Sequence, residues 1–517
     1  MEEQDKKTPQ EIVYDPSKWE IDGETVNHYN GKQGDVTIPD GVKKIASGAF
    51  YNNGRLKSVT IPESVTSLDN GAIEDCKNLA SVLYNGTLAQ WCEVDKEDCS
   101  FMERASVILT GENNMDTKTL TTVKIPDGVT KIGAETFRLH LSLETVEIPA
   151  SVTSIGDCAF YECKNLASVF YNGTLAQWCA VDKGKFCFME RASIILIGEN
   201  NMDTKALTTV KIPDGVTKIG KYTFHLHKNL ETVEIPASIT SIGEYAFRNC
   251  TNLKSVTIPE SVTSIGKGAF DNCTNFESIT IPAGVTSIGY GMFYACKNLK
   301  SVTIPESVTS IDDYVFQSCT SLKTVEIPTS VTKLGSGVFS NCTSLESVTI
   351  PESVTSIARS MFDSCTSLKS VTIPASVTSI CCSFKDSKNL ASVFYNGTLA
   401  QWCAVDKELS GFMEPESMIL IGENNMDTKT LTTLKIPDGV TKIGKSTFAL
   451  HKNLETVEIP ASVTSIGDSA FSKCTSLKSV NYGGTKEQWD KIEITRWSKE
   501  DFKNCVIHCT DGDITAE

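Results

Sequence analysis

The sequence predicts an α/β chain: a right-handed parallel solenoid of about eighteen coils. Its sheet is expected on the concave face, with short helices or 3₁₀ turns and extended segments outside. Three observations carry this. Fourteen Ile-Pro dipeptides punctuate the chain, most of them 23 residues apart, as at Ile235, Ile258, Ile281, Ile304, Ile327 and Ile350. The apolar positions between them repeat. Where an Ile-Pro is missing, the same strand arrives on schedule but ends in Tyr, at Tyr84, Tyr171, Tyr395 and Tyr482. A fixed period of this length marks units that cannot bury their apolar groups alone and do so by stacking. It shifts the expected function from a single pocket toward a long repeated surface.

The unit at 253–276, LKSVTIPESVTSIGKGAFDNCTNF, shows how one coil is built. Leu253, Val256 and Ile258, followed by Ser261, match the spacing LxxLxLxxN. Val256 and Ile258 alternate with Ser255 and Thr257, so one face of a short strand is buried and the other is wet. Pro259 has no N–H to donate and ends the ladder. Val262 and Ile265 point back into the core. Gly266 permits a turn, and residues 267–272 are expected to form a short helical or 3₁₀ piece presenting Phe270.

The irregular spacings are three gaps of 64, 64 and 63 residues, which predict long coils near 84–124, 171–211 and 395–435. All three share the path YNGTLAQWC…GENNMDTK, and Trp91, Trp178 and Trp402 are expected to pack into the widened loop. The shortened gap places its missing residue near Cys381 and Cys382. Residues 1–17 are polar and expected to fray. Residues 18–40 read as a capping hairpin, with Asp22-Gly23 as its turn, leading into the first coil. Residues 41–490 form the solenoid, and 491–517 close its other end.

These motifs resemble the BspA-like leucine-rich repeats, a 23-residue class of bacterial and protozoan surface proteins. The matching elements are SVTIPxSVTSIGxxAFxxC, the YNGTxxQW coil, the YNGKxxDVTIP lead-in and the terminal CTDGD. The resemblance implies adhesion or protein binding at a cell surface, with extracellular-matrix proteins as partners of some members. It brings no catalytic residues.

Composition sets outer bounds. Net charge is −16 and pI about 5.0, which argues against nucleic acid or an anionic membrane as the main partner. No apolar run approaches membrane-span length. The opening MEEQDKKTPQ lacks the pattern of a signal peptide. The chain therefore reads as cytoplasmic or as a mature form, and the family resemblance favours export. Of the nineteen Cys, nine (Cys76, Cys163, Cys250, Cys273, Cys296, Cys319, Cys342, Cys365 and Cys474) stand three residues after the repeat's Phe or its equivalent. They are expected to be a ladder of buried thiols acting as hydrophobes. Cys92–Cys99, Cys179–Cys187 and Cys505–Cys509 are the pairs that could be oxidised.

Constellations that suggest chemistry have plainer readings. His140, His227 and His451 fall on the rung that Cys fills elsewhere, and a His–Cys pair supplies too few ligands for a tetrahedral metal site. GENNMD at 111–116, 198–203 and 422–427 carries oxygen ligands but reads as a turn rather than a calcium loop. Asn85, Asn172 and Asn396 begin N-G-T sequons at strand ends. No unique nucleophile–base pair is present, so no enzyme, cofactor or metal site is expected. Lys124, Lys211 and Lys435 face Glu147, Glu234 and Glu458 on the next strand, pairs that set register.

The wet strand face is the candidate site. It comprises Ser255, Thr257, Ser278, Thr280, Ser301, Thr303, Thr324, Glu326, Ser347, Thr349, Ser370 and Thr372. The expected function is non-enzymatic binding of a protein partner on this face, as a surface or secreted adhesin. The alternatives are a cytoplasmic interaction scaffold and ice- or crystal-surface binding by the Thr columns.

Overall fold

The hydrogen bonds of each coil are completed by its neighbours on three sides. In the coil containing Phe270, strand Ser255–Val256 pairs in parallel with Thr232–Glu234 before it, and Ser255 aligns with Ser278 after it. The Val262 N–H donates to the Pro259 carbonyl (3.0 Å) and closes the first corner. A two-residue strand, Ser264–Ile265, then pairs in parallel with Ser241–Ile242. On the third side Phe270 N–H donates to Met292 O (3.1 Å) and Asn272 N–H to Tyr294 O (2.7 Å).

This third side differs from the expected helical piece. Residues 267–272 form turns. Gly268 and Asn272 hold positive φ, +58° and +56°, which breaks any helical run and aims alternate N–H groups at the following coil. A helix would have kept those donors within its own turn. Four short α-helices lie in the Tyr modules: α1 Leu88–Glu93, α2 Leu175–Ala180, α3 Leu399–Ala404 and α4 Lys486–Asp490.

The computed structural model describes residues 13–97, 100–188, 192–381, 383–408, 417–494 and 500–515. Most of the segment expected to fray, together with Cys99 and Cys382, lies outside them. The chain divides into two compact units: Met1–Leu207 with Ile212–His227, and Thr208–Lys211 with Lys228–Glu517.

In the first unit the hairpin Trp19–Asp22 and Thr25–Tyr29 is antiparallel, and its second strand pairs with Lys44–Ile45. Trp19 lies 4.5 Å from the Tyr29 ring and 5.9 Å from Phe50, so the hairpin covers the first core ring. The long-strand sheet then runs Asp35–Thr37, Ser58–Ile61, Ser81–Tyr84 and Ser106–Leu109. It stops there, because Met115–Asp116 returns antiparallel against Ser106–Leu109. A second sheet starts at Thr122–Lys124 and is closed in the same way by Met202–Asp203.

The second unit repeats the arrangement. One long-strand sheet runs from Thr209–Lys211 to Ser301–Thr303. Another runs from Ser347–Thr349 to Ser417–Leu420, closed by Met426–Asp427. The last, from Thr433–Lys435, ends at Val506–Cys509 with Gly512–Thr515 antiparallel on its edge.

Each expected long coil is therefore a coil followed by a capping hairpin, and the three internal hairpins repeat the device that closes the C-terminal sheet. Strands Ser106–Leu109, Ser193–Leu196, Ser417–Leu420 and Val506–Cys509 add to the expected count and give about twenty turns or slightly more. They carry the alternation of a normal coil, with Val107 and Leu109 buried, but neither an Ile-Pro nor a Tyr marks them. The shortened coil falls where expected. Ser347 aligns with Ser370 across a full period, whereas Ser370 aligns with Ser392, one residue short.

The core of the second unit is a column of nearly parallel rings. Phe270 sits 5.5 Å from Phe247 and 5.9 Å from Phe293, and the series continues through Phe316, Phe339, Phe362 and Phe384. Phe270 is fully buried. Phe270→Ala should cost about 3–5 kcal/mol. Because repeat stability is local, hydrogen exchange should show the loss as faster opening of the flanking coils before it spreads to the rest of the unit.

Candidate functional site

Two columns of hydroxyls run along the stacked coils, and they differ in what they contact. The column at the corner before the short strand is engaged. Ser261 Oγ donates to Ile239 O (2.6 Å), Ser307 to Val285 O (2.7 Å), Ser330 to Val308 O (2.7 Å) and Ser376 to Val354 O (2.7 Å). Each bond reaches back one coil and meets a carbonyl at the turn. The hydroxyls of the long-strand face, from Ser255 to Thr372, are not engaged by any side chain or carbonyl among the described residues.

Ser255, Thr257, Ser278, Thr280, Ser301, Thr303, Thr324, Glu326, Ser347 and Thr349 are exposed, while Ser370 and Thr372 are half-buried. The face is interrupted. No strand forms over residues 324–326, Val325 is only half-buried, and the two sheets end on either side. The expected continuous surface is thus two pieces, with Thr324 and Glu326 in the break. Thr257 lies just past the end of its strand. Exposed ion pairs flank the face: Lys254–Glu231 (2.6 Å), Lys300–Glu277 (3.0 Å) and Lys369–Glu346 (3.8 Å). The expected register pairs Lys124–Glu147, Lys211–Glu234 and Lys435–Glu458 form at 4.0, 3.7 and 3.9 Å.

The internal caps contain the least expected chemistry. In the first, Thr87 caps α1 by accepting from Gln90 N–H, and the Gln90 side chain accepts from Thr87 N–H (2.8 Å), a full capping box. Trp91 is buried against Tyr84 at 5.2 Å, as expected of the Trp residues. The Glu of GENNMD accepts from the helix start: Glu112 from Leu88 N–H (3.3 Å), Glu199 from Leu175 (3.2 Å) and Glu423 from Leu399 (3.0 Å). The two Asn of each motif take positive φ. This is the turn reading, with the carboxylates occupied by backbone donors.

Lys96, Lys183 and Lys407 are buried at the same position after the helix, a feature the sequence reading missed. Lys183 Nζ donates to Trp178 O (2.8 Å), Val181 O (2.7 Å) and Thr223 Oγ1 (3.2 Å), and stands 4.2 Å over the Trp178 ring. Thr223 belongs to the coil after the cap, so the lysine links the capped helix to the next coil. Gly220 supports the junction by donating its N–H to Cys179 O (2.7 Å), and a Cβ on Gly220 would stand 2.4 Å from Val181 O. Burial pulls Lys183 and Lys407 down to about 7. Strand parity held the signal: Val94 inward, Asp95 outward, Lys96 inward.

His140, His227 and His451 occupy the Cys rung beside these lysines. Nδ1 of His140 is 3.0 Å from Arg138 O and Nε2 is 2.8 Å from Thr117 Oγ1, whose hydroxyl also meets Val107 O (3.1 Å). His227 with Thr204 and His451 with Thr428 repeat the pair, each at 3.0 Å. Burial lowers His140 to about 4 and the other two to about 3, so the rings are neutral at neutral pH.

The cysteine rung is buried, and it does more than fill space. Cys273 Sγ donates to Phe247 O (3.1 Å), Cys296 to Phe270 O (3.1 Å), Cys342 to Phe316 O (3.0 Å) and Cys365 to Phe339 O (3.0 Å). In the shortened coil Ser387 takes the rung and donates to Phe362 O (2.6 Å). Burial pushes Cys163 and Cys365 up to about 12, which removes the reactive thiolate at neutral pH. Cys179, Cys187, Cys505 and Cys509 are free thiols, and Cys92–Cys99 involves a residue outside those described.

The rung thiols should resist a thiol reagent in the native protein and react after denaturation, and Cys319→Ser should be tolerated better than Cys319→Val, which cannot donate. Lys183 should also impose a pH dependence. The unfolded chain protonates this lysine with a pKa near 10.5 and the folded site near 7, so between those values the unfolded state holds more protons and stability rises with pH. Chemical denaturation of wild type and Lys183→Met at pH 7.5 and 9.5 should show a steeper rise for the wild type, by close to one proton.

The sequence profile of the BspA type leucine-rich repeat region matches residues 26–103, 111–195, 195–323, 287–404 and 406–508. No curated protein matches the chain. Among solved structures, a leucine-rich repeat protein from Bacteroides ovatus is 27% identical, over 72% of this chain and 91% of its own, with a TM-score of 0.43. A leucine rich cell surface protein from Faecalibacterium prausnitzii is 24% identical, over 94% and 98%, with a TM-score of 0.28. A leucine-rich repeat protein from Eubacterium ventriosum is 22% identical, over 70% and 87%, with a TM-score of 0.37. With its profile matched along nearly the whole repeat array, the chain belongs to the BspA-type leucine-rich repeat family.

Proposed function

We propose that this chain is a non-enzymatic binding protein that takes a protein partner on its long-strand face between Ser255 and Thr372, at a cell surface or outside the cell. The observation that carries this reading is the contrast between the two hydroxyl columns. One column closes carbonyls of the fold, and the other is exposed or half-buried and is unengaged among the described residues. Short Ser and Thr side chains lose little rotamer freedom on docking, and rows of them give many weak, repeated contacts. The flanking Lys–Glu pairs neutralise one another, so the face carries little net charge. Family membership supports a surface location and an extracellular-matrix partner. The break at residues 324–326 weighs against ice or crystal binding, which needs one regular lattice. A cytoplasmic scaffold would use the same face.

The test is a triple substitution, Thr280→Arg, Thr303→Arg and Thr349→Arg, which adds bulk and charge without entering the core. Binding to immobilised extracellular-matrix proteins that retain the wild type should fall at least tenfold, about 1.4 kcal/mol, with circular dichroism and melting unchanged. Normal binding by this variant, together with loss of binding on changing residues 87–116, would move the site to the caps.

A further inference from the structure

The three internal caps share one design, and two positions set the third apart. Next to the buried lysine, the first cap carries Glu135 and Arg138, ion-paired at 3.2 Å. The second carries Tyr222 and His225, with ring centroids 5.6 Å apart. The third has Ser446 and Ala449, which are far smaller.

The lysines respond. Lys183 makes three bonds of 2.7–3.2 Å. Lys407 makes two, to Val405 O and Thr447 O, each 3.4 Å, and stands 3.8 Å over the Trp402 ring; the Thr447 hydroxyl meets Gly444 O (2.8 Å), as Thr223 meets Gly220 O (2.8 Å), but also reaches Val405 O (3.2 Å). Lys407, Trp402 and Ser446 line one cavity of about 20 Å³. Ser446 Oγ is buried with no hydrogen-bond partner among the described residues, and so is Trp402 Nε1, as are Trp91 Nε1 and Trp178 Nε1 in the other two caps. The half-buried Lys429 and the exposed Glu408 also reach its wall. A comparable cavity in the second cap, about 30 Å³, has its lysine fully bonded.

We propose that the third cap binds a single small monovalent anion of chloride size between Lys407, Trp402 and Ser446. The site offers an ammonium, an indole N–H and a hydroxyl, and its volume suits one water-sized occupant. A water there would accept from at most two donors and bring two hydrogens that need acceptors of their own. An anion accepts from all three and offsets the buried charge.

The experiment uses the full chain with chloride and bromide as probes. Chloride NMR line broadening at constant ionic strength should saturate for the wild type. It should weaken at least about tenfold in Ser446→Tyr/Ala449→His, which installs the residues of the second cap. Crystals grown in bromide should show anomalous scattering beside Lys407 Nζ. Equal broadening in wild type and double variant, or bromide crystals with only a water at that position, would overturn the proposal. Should the double variant misfold, Lys407→Met supplies the same comparison.

Discussion

Backbone hydrogen bonds from each coil to the next carry this structure. On three sides of the core, N–H groups of one coil find their acceptors on a neighbour: strand to strand at Ser278–Thr280, short strand to short strand at Ser287–Ile288, and turn to turn from Phe270 to Met292. Buried donors without acceptors are costly, so the spacing of the coils is fixed before any side chain is considered. The Phe column, the thiol rung and the corner serines all depend on that spacing. Each sits once per coil and meets its equivalent one coil away. Cys273 and Ser387 illustrate the point, since a thiol and a hydroxyl do the same work by donating to a Phe carbonyl.

A stack of this kind must end, and an exposed sheet edge invites pairing with other chains. The chain ends its long-strand sheets repeatedly with short antiparallel returns, at Met115–Asp116, Met202–Asp203, Met426–Asp427 and Gly512–Thr515. At the internal ends the chain continues through a capped helix and a buried lysine. At the C-terminal end the same positions change character. Cys92, Cys179 and Cys403 become Asp490, and Lys96, Lys183 and Lys407 become Ile494. Asp490 gives the last helix an exposed polar group where the internal helices bury a thiol.

Much of this was legible in the sequence. The period, the alternation of Val256 and Ile258 with Ser255 and Thr257, the N-terminal hairpin, the shortened coil near Cys381 and the His rungs all appear where residue type and spacing put them. The misses have physical causes. Residues 267–272 read as helical because local propensity cannot show that their N–H groups are taken by the next coil. Strands such as Ser106–Leu109 went uncounted because they carry core alternation without the Ile-Pro or Tyr marker. Lys96 was overlooked because a lysine is expected in solvent, although its parity in the strand points inward. The opening of the face at residues 324–326 has no visible cause in the residue pattern, since TVEI forms a regular strand at Thr145–Ile148. The candidate surface was legible as a list of residues. That its hydroxyls are unengaged, while those of Ser261 and Ser307 are engaged, is visible only in three dimensions.

The division of labour between the two hydroxyl columns is the claim on which the functional reading rests, and single-hydroxyl deletions test it most directly. Ser307 donates to Val285 O, and Ser301, six residues earlier on the long strand, donates to nothing among the described residues. Urea denaturation of Ser307→Ala should show a loss of about 1 kcal/mol or more, because the buried carbonyl is left without its donor. Ser301→Ala should stay within about 0.5 kcal/mol of wild type, as surface changes away from structural contacts do. Equal losses from both would contradict the account, because the long-strand hydroxyls would then be holding the fold together rather than standing available to a partner.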